Sequence, residues 1–280
     1  MVCLGFFSLQ ASKPFPARGF ARILSPEQAT ERLNEYRSYF RNPVPDKKFH
    51  QAYSFKFSLR HMPRRGEEKF CFGEIAGPGL RNGFFRIAVF KDSAQKQTDL
   101  YLLSNPLNPQ LWKATSSRAS IQLSTEQILS PIAEGMNQTF FDLLMPFVFW
   151  PEEYLRSGKV AGRPAHLYEF SCPADITKVR SDWKTVRLAI DDTYQAPLRA
   201  EILSDGNQPV RSSTLRSYKK VGDDWIVKSL DCLDHRTRSN TRLEILGAAT
   251  SLDLDPESFT PQKFMLPLAI PDSSYQYFEQ

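Results

Sequence analysis

Tyr53-Ser54-Phe55-Lys56-Phe57-Ser58-Leu59-Arg60 alternates without a break, apolar at every odd position and polar at every even one. Successive side chains of an extended chain point to opposite faces. The stretch therefore predicts a strand with one face on a core and the other in water. Pro63-Arg64-Arg65-Gly66 turns the chain, and residues 68–76 predict the returning strand. Gly77-Pro78-Gly79 and Asn82-Gly83 punctuate before a third strand, Phe84–Phe90, and a fourth over 98–104. Leu111–Ala114 and Ser120–Leu123 predict two short ones. The second half repeats the theme: a strand around Val186, Leu188 and Ile190, then Leu198–Leu203, Val210–Lys220, Trp225–Asp234 and Thr241–Leu246. Asp205-Gly206, Gly222-Asp223-Asp224 and Thr237–Asn240 supply the turns. Strands joined by short turns pair antiparallel, since a parallel return needs a long crossover.

Two stretches break the β pattern. Ser25-Pro26-Glu27-Gln28 reads as a capping box with Pro in the first turn. Behind it Ala29, Leu33, Tyr36 and Phe40 recur at helical spacing, which predicts a helix over 25–41 ended by Asn42-Pro43. The other is Thr139-Phe140-Phe141-Asp142-Leu143-Leu144-Met145-Pro146-Phe147-Val148-Phe149-Trp150-Pro151. Thr139 is placed to cap a short helix that Pro146 interrupts. This stretch is too short to span a bilayer. A long antiparallel meander must close, or have its edges covered. The fold class expected is mainly β: an incomplete antiparallel β-barrel, or curled sheet, with an N-terminal helix and a central helical lid.

Composition narrows the function. Of the 280 residues 41% are hydrophobic and 12% aromatic, with 21 Phe against 13 Gly, which suits an interior lined by rings. The formal charge of +5 comes from 36 basic and 31 acidic residues without long like-charge runs, a weak argument for nucleic acid. Interleaved stretches such as Phe55-Lys56-Phe57 and Phe84-Phe85-Arg86 are explained by rings turned inward and charges outward. Cys3, Cys71, Cys172 and Cys232 form no Cys-x-x-Cys pair, and His50, His61, His166 and His235 are scattered, so no metal or cofactor is expected. Neither a Gly-x-Ser-x-Gly elbow nor a phosphate-binding Gly-rich loop is present. The pair Asp191-Asp192 would face opposite sides of a strand, and Glu152-Glu153 reads as a solvated helix start. Catalysis is not expected. Residues 1–12 read as an export leader clipped at its start, with an apolar run ending at the small Ala11. A single domain is expected over 20–265, followed by a loose tail, 266–280.

The order of several pieces resembles a known family. These are Leu144–Pro151, Gly162-Arg163-Pro164-Ala165-His166-Leu167-Tyr168, Val186–Asp191, Leu198-Arg199-Ala200-Glu201, Tyr218–Lys228 and Thr241-Arg242-Leu243-Glu244. Together, over roughly residues 50–262, they look like the outer-membrane lipoprotein-sorting (LolA-like) family, in its uncharacterised bacterial branch. The resemblance implies a periplasmic carrier whose apolar cavity shields lipid or lipoprotein acyl chains. It also implies membrane-bound donor and acceptor proteins as partners. A lid arginine serves the best-known carriers, but no Arg of this sequence is assigned to it. On this reading Phe55, Phe57, Phe85 and Ile87 line the cavity. Leu143, Leu144, Phe147 and Trp150 belong to a movable lid over 139–151, hinged near Pro146 or Pro151. Ordinary core packing is the competing reading for each. The functional alternatives are an envelope module that senses lipid or binds a protein on the same fold and, in third place, a hydrolase.

Overall fold

The computed structural model describes residues 21–40, 49–80, 83–90, 98–104, 109–115 and 119–279. The expected leader (1–12) and the Asn42-Pro43 stop lie outside them. Helix α1 (Pro26–Ser38) carries the expected capping box, in which Ser25 accepts from the Gln28 amide and Gln28 reaches back to the Ser25 amide. Its buried stripe is Ala29, Leu33 and Tyr36, as the spacing predicts. Six strands follow in a meander: β1 (Phe49–Met62), β2 (Lys69–Gly77), β3 (Phe84–Phe90), β4 (Thr98–Ser104), β5 (Gln110–Ala114) and β6 (Ser120–Gln122). Two short helices come next, α2 (Thr125–Ile128) and α3 (Phe140–Leu144), and then a 3-10 turn, Pro146–Phe149.

The second meander comprises β7 (Glu152–Val160), β8 (Arg163–Ser171), β9 (Thr185–Asp191), β10 (Pro197–Leu203), β11 (Pro209–Val221), β12 (Asp224–Asp234) and β13 (Ser239–Leu254). Helix α4 (Ala174–Val179) sits between β8 and β9, and β14 (Gln276–Tyr277) closes the chain. Strands β7 and β8 are absent from the sequence-based expectation. Glu152-Glu153 opens β7 and does not start a helix. The expected loose tail is also corrected. Residues 266–279 are held against the sheet by β14 and by side-chain bonds described below.

All pairings are antiparallel, and the two meanders join where β13 lies against β1. The order β6-β5-β4-β3-β2-β1-β13-β12-β11-β10-β9-β8-β7 leaves β6 and β7 as the edges of one curled, unclosed sheet. Edge β6 is three residues long, and edge β7 carries the exposed Glu152, Glu153, Arg156 and Lys159, devices that discourage pairing with another chain.

Register fixes which side chains meet. Phe55 lies opposite Ile75, Phe57 opposite Gly73, and Ile75 opposite Ile87, so one face of β1–β3 is a continuous apolar surface. Gly73 is required there. A Cβ at this position would stand 2.3 Å from the Phe57 ring, which lies across the glycine. The opposite face bears a smaller apolar cluster of Ala52, Leu102, Leu254, Phe259 and Phe264, built by packing the C-terminal segment onto the outside of the sheet.

Candidate functional site

The chain between the two edge strands does not lie over the sheet; it fills the curl. From Thr139 to Val148 every residue is buried. Local chemistry explains this tongue. Thr139 Oγ1 accepts from the Asp142 amide (3.3 Å) and Asp142 Oδ2 from the Thr139 amide (2.8 Å), a reciprocal cap that starts α3. Met145 then takes a left-handed conformation (φ 48°), and Pro146 begins the 3-10 turn. The bend turns both halves of the tongue inward.

All eight candidate side chains belong to one apolar assembly. Phe55, Phe57, Phe85, Ile87, Leu143, Leu144 and Phe147 are buried in a single cluster, and Trp150 packs against it half-buried. Rings interlock across elements: Phe141 lies 5.1 Å from Trp183 and 5.8 Å from both Phe147 and Trp150, and Phe147 lies 5.8 Å from Phe170. Phe140 meets Tyr101 of β4 at 4.6 Å. Among the described residues, the inner face of the sheet is therefore covered by packed side chains. The stretch expected as a movable lid (139–151) is buried from Thr139 to Val148 and packs as an internal plug, because its apolar residues occur on all sides and find apolar partners inside.

Two arginines that the sequence could not single out clamp the plug. Arg211 of β11, buried, places Nη2 2.5 Å from Asp142 Oδ1 and 3.3 Å from Thr139 Oγ1, and Nη1 donates to the Asn137 carbonyl (3.1 Å). Asn137 also donates to the Cys232 and Ser239 carbonyls at 3.0 and 2.9 Å, and Gln138 to the Thr241 carbonyl at 3.0 Å. At the far end Arg37 of α1 donates to the carbonyls of Val148 (2.6 Å) and Trp150 (3.4 Å) and pairs with Glu152 (2.7 Å). A buried ion pair is costly to break from one side, so the Arg211 end is the firmer anchor.

Space is open beside the plug. A cleft of about 780 Å³ lies between the 131–136 loop and β2, β3 and β4. Cys71, Val89, Tyr101, Ile132 and Met136 give it an apolar wall, while Lys69 and Glu134 are exposed at its rim. None of the eight candidates lines it. The alternation of β4 marks Tyr101 as inward-facing, and this was the available signal for the cleft.

Several other buried titratable groups are engaged in structure. Buried His166 bridges Asp192 (Nε2, 2.7 Å) and the Tyr154 hydroxyl (Nδ1, 3.2 Å), and burial pushes its pKa below the usual histidine range. Asp191 is held by Arg163 at 2.5 Å, and Asp192 lies 3.6 Å from Arg32 of α1. Burial pushes the thiols of Cys71 and Cys232 up to about 11, far from a reactive thiolate. Among the described residues no three His, Cys, Asp or Glu side chains gather as a metal site would require. No helix among them is long and apolar enough to cross a membrane.

Comparison with known proteins adds a decisive point about architecture. A domain ascribed to outer membrane lipoprotein sorting from Vibrio parahaemolyticus superposes with a TM-score of 0.64 at 14% identity, covering 82% of this chain and 94% of its own. The fold is LolA-like. A LolA superfamily protein from Nitrosomonas europaea matches with a TM-score of 0.58 at 15% identity, over 82% and 96% of the two chains. A DUF1329 family protein from Desulfovibrio piger matches at 0.63 and 11%, over 84% and 96%. A family model described as "Uncharacterized protein" matches residues 151–265, and no curated protein matches the chain. At these identities the likeness establishes the LolA-like architecture and nothing finer.

Proposed function

We propose that this LolA-like chain is a non-catalytic binding protein of the bacterial envelope, acting in the periplasm. It would carry lipid or lipoprotein acyl chains in the space now held by the tongue. The observation that carries the reading is the origin of the interior filling. The apolar face of β1–β4 is completed by a tongue that is no part of the sheet and is tied down by polar clamps at its two ends. Such a filling can be exchanged. An acyl chain gains ~0.8 kcal/mol per methylene it buries. Replacing apolar tongue by apolar cargo costs little in area, so the clamps set the threshold for opening. The cleft walled by Tyr101, Ile132 and Met136 lies next to the start of the tongue in sequence and would serve as the entrance. Membrane-bound donor and acceptor proteins fit this reading as partners.

Carriage demands that the tongue leave. The filled interior favours a second reading, a protein-binding or lipid-sensing module on the same fold. Solvent extraction of the purified protein followed by mass spectrometry separates the two. Co-purifying phospholipid or acylated peptide at near one-to-one ratio supports carriage. A lipid-free protein that also takes up no added fatty acid supports the protein-binding module and removes both carriage and lipid sensing.

A further inference from the structure

The two meanders separate at one end of the sheet. Strand β12 pairs β13 from Asp234–Ser239 to Ser229–Glu244, while β13 runs on to Leu254 against β1, and the remainder of β12 stays with β11. The fork is filled by the chain's own C-terminal residues. β14 pairs Tyr277 with Gly247 and Gln276 with Ala248, and the Phe278 amide donates to the Leu246 carbonyl at 2.9 Å.

The contacts around it amount to a recognition groove. Lys56, outward on β1, lies 2.6 Å from the Asp272 carboxylate, bonds the Tyr277 hydroxyl, and stands 4.3 and 5.0 Å from the Tyr275 and Tyr277 ring centres. Lys219 and Lys228 flank the Phe278 ring at 5.6 and 5.3 Å. The Tyr275 hydroxyl bonds Ser54 at 2.9 Å and also Glu74. Gly247 makes room for the strand, since a Cβ there would stand 2.9 Å from the Tyr277 ring. Lysines placed over successive rings, with an open strand edge between them, are the elements of extended-peptide recognition by strand addition.

We infer that this fork is a peptide-binding groove, occupied in cis by residues 272–278 and able to take in their place an extended acidic-aromatic segment of a partner protein. The partner segment carries a carboxylate upstream of alternating aromatic residues, complementary to Lys56, Lys219 and Lys228. The cis strand is suited to exchange, because β14 is only two residues long and pairs with β13 alone, so it can leave without unpairing β1 from β13. The inference does not depend on lipid carriage.

The test uses the full-length chain and a fluorescein-labelled peptide of residues 271–280, followed by fluorescence polarisation. The Tyr277→Ala/Phe278→Ala variant should bind the peptide saturably and at least tenfold more tightly than the wild type. Adding Lys56→Glu should weaken that binding tenfold or more, and a scrambled peptide should not bind. No saturable binding by a cooperatively folding variant overturns the inference. So does failure of both this variant and the milder Tyr277→Ser to fold, which would make the strand an integral part of the sheet. Reversible dimerisation of the wild type that the double substitution abolishes would assign the groove to a second copy and also overturn it.

Discussion

The tongue (137–150) and the C-terminal strap (271–278) both fill gaps left by the same unclosed sheet, yet different forces hold them. The tongue is buried from Gln138 to Val148 and anchored by an ion pair between side chains only 8% and 4% exposed. The strap is anchored by Lys56 and Asp272, which are 34% and 74% exposed, and by lysines over rings. Water and salt weaken the second kind of anchor and barely reach the first. A cover with water-accessible anchors therefore lies on the outside of this molecule, and one with buried anchors lies inside.

The largest effect expected is at the inner clamp. Arg211→Ala leaves Asp142 buried without its partner and should lower unfolding free energy by about 3–5 kcal/mol in urea titration. A loss below about 1 kcal/mol would show that the tongue is held by packing alone. Next comes Arg86. Buried on the outer face, it donates to the carbonyls of Leu266 (2.9 Å) and Ser258 (3.4 Å), and burial lowers its pKa to about 10. Arg86→Ala should cost about 1–3 kcal/mol by stranding those carbonyls. It should also speed proteolysis after residue 255 before any cleavage in the tongue.

A smaller effect tests the docking of α1 near the rear clamp. His166 is buried beside Asp192 and Arg32, and its pKa is depressed by desolvation. A depressed histidine pKa means that the unfolded chain takes the proton first. The stability it contributes is full above about pH 6.5, the unfolded value, and is lost as pH falls through the folded one. The thermal midpoint should thus decline on acidification below pH 6.5, and His166→Asn should flatten that decline. The smallest effect belongs to the strap. Lys56→Ala should leave the global midpoint nearly unchanged while accelerating amide exchange of the strap, most visibly at Phe278. A large fall in the midpoint would erase the contrast between the two covers.

Much of the fold is legible in the residues, and the exceptions have physical causes. Alternation in Tyr53–Arg60 and turn residues such as Gly222-Asp223 mark strands and hairpins because both signals are local. The capping box at Ser25 and the helix cap at Thr139 are equally local, and both are present. Strand β7 escapes because it is an edge, where Glu152-Glu153 and Arg156 face solvent and alternation fails. The strap escapes because its order comes from Lys56 and Gly247, far away in sequence. The clamp is hidden for the same reason, since Arg211 and Asp142 are 69 positions apart. A trace existed: Arg211 and Ser213 stand at inward positions of β11, where apolar residues are the norm. The eight apolar candidates are legible as a group, but whether an interior is hollow or plugged depends on where residues 139–150 go, and no local pattern decides that.

Hydrogen exchange across the tongue, with and without a long-chain fatty acid, tests the exchangeable-plug account most directly. The account predicts that saturating fatty acid accelerates exchange of the Leu143, Leu144 and Val148 amides while those of Phe55 and Phe57 in β1 stay protected. Unchanged protection of the tongue at every fatty acid concentration would contradict it and leave the interior as a permanently solid core.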